Sequence, residues 1–194
     1  MISKDGYNIP SKDERRICLV VVDMQRCFFA GRHDAEFVSA AERMRESVES
    51  FRESGRDVFF IGHIKNDGKE HDLNLIDVFE GCDIDVWKHH MDAFYNTDLS
   101  DRIHSAGYDS VLICGAYAEH CVTATYWGAY NHDLTPFLLE GGTVPFRKEK
   151  LASVETVCAI YSMDEMRENL AKVRVDDGYG TIQSRMKRKY WYVN

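Results

Sequence analysis

The stretch Ser110-Val-Leu-Ile-Cys-Gly-Ala-Tyr-Ala-Glu-His-Cys-Val-Thr-Ala-Thr125 reads as a strand that stops at Gly115 and gives way, near Glu119, to an amphipathic helix. A continuous apolar, partly β-branched run bounded by glycine is the pattern of a parallel strand covered on both faces. Cys121 then stands at a helix start. Unpaired backbone N–H groups and the helix dipole favour an anion there, so this is where a cysteine is most easily held as a thiolate.

Outward from this stretch the same alternation repeats. Ile17-Cys-Leu-Val-Val-Val22 is a second covered run, ended by Asp23. Between Asp34 and Ser54, Phe37, Val38, Ala41, Met44, Val48 and Phe51 recur at helical spacing, and Gly55 supplies the stop. Residues 57–61 and 84–87 read as the second and third strands, the third ending at Lys88. A helix over 99–106, stopped by Gly107, precedes the opening stretch. A helix over 119–130 and a strand over 136–139 continue it. Residues 156–161 read as a sixth strand, and Ser162 as the N-cap of a helix through Met166 and Leu170. The alternation predicts an α/β fold: a doubly wound, mostly parallel, six-stranded Rossmann-like sheet of order 3-2-1-4-5-6, with helices on both faces.

With 194 residues, 44% of them hydrophobic, the chain suits one domain with a sizeable core, drawn here over 1–176. Residues 177–194 differ in composition, with Arg185, Lys187, Arg188 and Lys189 before Tyr190-Trp191-Tyr192. They read either as an extension docked on the domain or a neighbouring subunit, or as a solvated terminus. The formal charge of -8 argues against nucleic-acid and anionic-membrane partners. No apolar run approaches the roughly 20 residues needed to span a bilayer, and the first residues lack a signal-peptide core, so the cytoplasm is the expected compartment. The six cysteines form no CxxC pair and read as free thiols, with Cys18 and Cys114 as core filler.

Ligands of open parallel sheets bind beyond the C-terminal strand ends, where the winding reverses. Asp23, Lys88 and Cys121 all fall on that edge, and strands one and four are neighbours at the switch point. A carboxylate can take a thiol proton while an ammonium stabilises the charge that results. Singly, each has an ordinary reading: a turn aspartate, a surface lysine, a packed cysteine. In combination they suit nucleophilic catalysis.

The wording around them adds more. Asp23-Met-Gln-Arg-Cys-Phe28, Lys88-His-His-Met-Asp-Ala-Phe-Tyr-Asn-Thr-Asp-Leu99 and Cys114-Gly-Ala-Tyr-Ala-Glu-His-Cys-Val122 resemble, in order, three motifs of the isochorismatase-like cysteine hydrolase superfamily. The similarity covers about residues 17–140. It implies Cys121 as nucleophile, Asp23 as general base and later acid, and Lys88 as the cation beside both. It also implies Gln25 and Phe28 as pocket-shaping residues and a cis peptide between Ala116 and Tyr117. By the same analogy, the N–H groups of Tyr117 and Cys121 form an oxyanion hole. The expected reaction is C–N cleavage of a small amide or carbamoyl compound through a thioester. The alternatives are vinyl ether hydrolysis of the isochorismatase type and a catalytically silent binding member. Relatives of this kind form homodimers or homotetramers, which is the expectation here.

Four features depart from the motifs. Ala118 replaces the usual threonine, Asn96 a common glycine, and Glu140-Gly141-Gly142 the usual Asp-Ala, while the segment before the sixth strand is short. Asn tolerates a left-handed backbone better than most residues. Some relatives bind a metal through an Asp-x-His-x-x-x-His cluster after the second strand. His63, Asp67 and His71 lie there at a different spacing, so neither a metal nor another cofactor is expected. His89, His90 and His120 are notable for position alone. Of the aromatic residues near the motifs, Phe28 and Tyr117 are the pocket candidates.

Overall fold

The computed structural model describes residues 14–172. The proposed 177–194 extension lies outside them. Six parallel strands pair in the order β3-β2-β1-β4-β5-β6: β1 (Ile17–Val22), β2 (Val58–His63), β3 (Val86–Lys88), β4 (Ser110–Ala116), β5 (Thr135–Val144) and β6 (Ile160–Tyr161). This is the sheet the alternation predicts.

Strand periodicity divides the core in two. Ile17, Leu19 and Val21 point to the face covered by α1 (Ala35–Glu53) and α5 (Met163–Lys172). Cys18, Val20 and Val22 point to the face covered by α2 (Leu99–Ser105), α3 (Thr123–Asn131) and α4 (Leu151–Val157). Cys18 and Cys114 are fully buried, as the apolar runs around them predict. Asp34 caps α1 by accepting the Phe37 N–H at 3.0 Å, and Gly55 ends it with φ +70°. On α1 the buried face runs Phe37, Ala40, Ala41, Met44, Val48 and Phe51. Val38, included in the apolar stripe by spacing, is 48% exposed because the stripe turns one residue away from it. Among the described residues no helix is long and apolar enough to cross a membrane.

Three elements differ from the sequence reading. β5 does not end at Leu139 but continues to Val144: Gly141 takes φ +62° and the register shifts between Ile113 and Gly115, after which Thr143 and Val144 pair with Gly115 and Ala116. The strand thus re-enters the ladder past a bulge, beyond the end read for it at Leu139. Of residues 156–161 only Ile160 and Tyr161 are strand, because Leu151, Val154 and Cys158 recur at helical spacing: α4 buries Val154 in the second cluster, with Leu151 packed against it and Cys158 buried at the C-cap. The third strand begins at Val86; just before it, Asp85 N donates to Phe60 O at 2.8 Å and the Asp85 carboxylate accepts the Phe60 N–H at 2.8 Å. Asn96 has φ 54°, the left-handed backbone expected of it.

Gly115 is the residue that permits β1 and β4 to close at their C-terminal ends. It has φ +116°, and a Cβ there would lie 2.1 Å from the carbonyl oxygen of Val22. Both backbone and neighbour exclude a side chain. Gly115→Ala is expected to lose on the order of 3 kcal/mol of unfolding free energy in urea titrations, and wild-type stability would contradict this placement.

Candidate active site

Asp23 follows β1, Lys88 ends β3, and Cys121 lies after β4, and the sheet order brings all three to one point. Asp23 is 3% exposed and has φ 52°, a backbone that swings its carboxylate off the strand axis, while its N–H keeps the ladder by donating to Ile61 O at 2.9 Å. Lys88 is 1% exposed, and its Nζ donates to Asp23 Oδ2 at 2.8 Å. The same ammonium contacts the His90 carbonyl at 3.0 Å and His63 Nδ1 at 3.2 Å. Three N–H bonds therefore meet three acceptors. His63 must offer a lone pair to Lys88, which assigns its proton to Nε2. Burial, followed by the charge of Lys88, also lowers its pKa and keeps it neutral.

The other oxygen of Asp23, Oδ1, is buried without a hydrogen-bond partner of its own in the resting geometry. Cys121 is the group beside this carboxylate: a carboxylate oxygen of Asp23, a ring nitrogen of His63 and Cys121 Sγ lie within 4.8 Å of one another. Burial first, then the Asp23 charge, push the Cys121 thiol up to about 12, outweighing the opposite pull of Lys88. Burial also raises the Asp23 carboxyl above the ordinary carboxylate range, again against Lys88. Burial and the neighbouring carboxylate thus disfavour the Cys121 thiolate. Cys121 is fourth in a π-helical turn, Ala118–Val122, half-buried beside a carboxylate, rather than at the exposed N-terminus of an α-helix.

That turn is set by its surroundings. The peptide between Ala116 and Tyr117 is cis. The amides of His120 and Val122, either side of Cys121, both donate to Tyr117 O, at 2.9 and 3.3 Å. Thr123 Oγ1 donates to Ala118 O at 2.6 Å, supplying from the next turn a hydroxyl contact that Ala118 itself lacks. Glu119 accepts from Phe146 N at 3.0 Å and Arg147 N at 2.7 Å, tying the turn to the segment after β5. On the other side, Thr125 Oγ1 accepts from Ala93 N at 3.1 Å, and a Cβ on Gly128 would lie 2.1 Å from Asp92 Oδ1. The Lys88 loop and the Cys121 helix are therefore in close contact.

Gln25 is fully buried with both ends of its amide engaged: Oε1 accepts from His63 N at 2.7 Å and Nε2 donates to Leu73 O at 3.2 Å. It braces the end of β2. The ring of Phe28 meets Tyr117 edge-on, with centroids 6.2 Å apart, and Tyr117 OH donates to the Phe28 carbonyl at 2.7 Å. Phe29, Phe94 and Tyr126 are core, and Trp87 and Trp127 are exposed.

His63, Asp67 and His71 do not meet as a ligand set. Asp67 takes the His71 ring at 2.7 Å, and His63 faces Lys88. Asp23, His63 and Cys121 have the reach of a metal triad, but the Lys88 ammonium lies within bonding distance of two of them, so a cation of the protein holds that space. His63 is the site residue that its spacing alone concealed. The strand-end rule identifies it once β2 is extended by two residues, because register pairs His63 with Lys88. His89 contacts Asn66, His90 packs on Tyr95 and His120 on Phe146.

A thiol, a carboxylate and a lysine thus meet at the switch point of an open α/β sheet, the place where such sheets bind ligands. The family model described as isochorismatase domain matches residues 17–173, and the chain belongs to that family of hydrolases, within the isochorismatase-like cysteine hydrolase superfamily. The chain is 28% identical over 159 residues to the phenazine biosynthesis protein PhzD of Pseudomonas fluorescens, covering 71% of this chain and 75% of that protein. It is 31% identical over 162 residues to a Pseudomonas chlororaphis protein named "Probable isochorismatase", covering 72% of this chain and 76% of the other. Among solved structures, N-carbamoylsarcosine amidase from Thermoplasma acidophilum shares the fold, with a TM-score of 0.65 at 24% identity over 84% of this chain and 98% of that one.

Removing one member of a buried ion pair leaves the other charge uncompensated. Lys88→Met is expected to lower the unfolding free energy at neutral pH by about 3 to 5 kcal/mol, measured by denaturant titration. A change within experimental error would mean that the Asp23–Lys88 contact does not form.

Proposed function

We propose that the protein hydrolyses the C–N bond of a small amide or carbamoyl compound, with Cys121 as nucleophile. The observation that carries this reading is the buried Asp23 carboxylate, paired to Lys88 through one oxygen and open at the other beside a protonated thiol. Asp23 takes the Cys121 proton as sulfur bonds to the substrate carbonyl carbon. The N–H groups of Tyr117 and Cys121 stabilise the oxyanion. Asp23 returns its proton to the leaving nitrogen as the C–N bond breaks, giving ammonia or an amine and an acyl or carbamoyl group on sulfur. Water, deprotonated by Asp23, then attacks that group; the acid product leaves and the proton returns to sulfur. Lys88 keeps Asp23 ionised in a site that otherwise favours the neutral acid, and Gln25 and Phe28 shape the pocket around it. The chain acts on a small molecule as a homodimer or homotetramer, in the cytoplasm and without nucleic-acid or membrane partners.

One observation favours a second reading, the vinyl ether hydrolysis implied by the name of the Pseudomonas chlororaphis relative. That reaction needs an acid at Asp23 but no nucleophilic sulfur, so Cys121 would be dispensable.

A panel of small amides, ureas and carbamoyl compounds, with isochorismate added, assayed for ammonia release and vinyl ether loss, separates the two. The amidase reading predicts ammonia release that vanishes in a folded Cys121→Ser protein. An active serine variant contradicts it. Asp23→Asn is expected to lower kcat/KM by about 10²- to 10⁴-fold.

The pH dependence follows from the same carboxyl. Asp23 must be ionised to act as base, and burial raises its pKa, so kcat/KM should fall as pH drops through a value above the ordinary carboxylate range. A pH–rate profile that stays flat into that range would show that Asp23 is not the base.

A further inference from the structure

An ammonium has three N–H bonds, and the direction of each decides which neighbours share its charge. Lys88 Nζ donates to Asp23 Oδ2 at 2.8 Å and to the His90 carbonyl at 3.0 Å, and it meets His63 Nδ1 at 3.2 Å. His63 is the acceptor supplied by the neighbouring strand. It closes β2, pairs in register with Lys88, donates its backbone N–H to Gln25 Oε1 at 2.7 Å and sets its ring edge-on to Phe28 at 6.3 Å. Strand pairing, a buried amide and an aromatic ring thus fix the imidazole where it meets the ammonium.

A fourth group competes for the same N–H bonds. A ring nitrogen of His63, a carboxylate oxygen of Asp23 and Cys121 Sγ lie within 4.8 Å of one another. Lys88 acts on the sulfur by charge and by hydrogen bonding, both in favour of a thiolate. An N–H taken by the imidazole is one that sulfur does not receive, and Lys88 is buried, with little water to turn to instead. The charged and titratable groups facing the ring are Lys88 from β3, His89 just beyond it, Asp23 from the end of β1 and Cys121 from the π-helical turn. Lys88 is the one bonded to Nδ1.

We propose that His63 is a positioning residue for Lys88: by taking one ammonium N–H at Nδ1, it directs the cation to Asp23 and withholds it from Cys121. The thiol then depends on Asp23 to lose its proton and is not ionised in advance by the lysine. His63 acts through Lys88, and this role holds whether or not the substrate is an amide.

The test compares His63→Leu with His63→Asn, two neutral side chains of similar size, of which asparagine alone carries an acceptor oxygen at the branch where Nδ1 stands. Alkylation of Cys121 by iodoacetamide is followed in mildly alkaline buffer, where the lowered pKa of His63 keeps the wild-type ring neutral, and peptide mass spectrometry separates Cys121 from the other five thiols. His63→Leu is expected to raise the rate by about threefold to tenfold as the released N–H turns to sulfur, and His63→Asn to hold it within about twofold of the wild type. Nitrogen NMR shifts of the wild-type ring should show Nδ1 without a proton. An equal or lower rate in folded His63→Leu overturns the proposal, as does an equal rise in both variants, the mark of a site merely opened, or a proton on Nδ1. If the rate follows the acceptor but no amide releases ammonia, the role of His63 holds and the amidase reading fails.

Discussion

Two charges almost entirely shielded from water, the carboxylate of Asp23 and the ammonium of Lys88, set the terms for everything else at the C-terminal edge of the sheet. Burial favours the neutral form of the Asp23 carboxyl, and the Lys88 charge opposes it. They meet at 2.8 Å, and the Lys88 Nζ also contacts a carbonyl and an imidazole nitrogen. The pair leaves one carboxylate oxygen over and places it beside a thiol. A sulfur proton and an acceptor for it are thereby held together in a site where burial disfavours a free thiolate.

The fold supplies this arrangement through strand ends rather than through loops that must find one another. Strands β3, β2, β1 and β4 are adjacent in that order, so the residues at their ends converge by register. Gly115 lets β4 close on Val22, and Gly128 lets α3 approach Asp92 in the loop after Lys88. Glu119 ties the Cys121 turn to the segment after β5. Each contact restricts the thiol from a different side.

Much of this is legible in the sequence, for physical reasons. Covered parallel strands announce themselves as unbroken apolar runs, so β1 and β4 could be read directly, and with them the positions of Asp23 and Cys121. What escaped was what periodicity does not encode. The bulge at Gly141 carries the strand five residues further, to Val144, and α4 is too short for its spacing to stand out. Helical spacing identifies Cys121 as near a helix start but not that the turn is π-helical and half-buried, which decides whether the sulfur carries its proton. The roles of Gln25 and His63 depend on long-range partners 38 and 25 residues away, which no local pattern reveals.

The central claim is that Cys121 rests as a thiol held next to the ionised Asp23 and is deprotonated only as it reacts. The direct test is the ultraviolet absorbance of the thiolate, titrated against pH and taken as the difference between the wild type and Cys121→Ser. The account predicts no Cys121 thiolate at neutral pH in the wild type, and its appearance at lower pH in Asp23→Asn, where Lys88 acts on sulfur without an opposing carboxylate. A full thiolate signal at neutral pH in the wild type would contradict it.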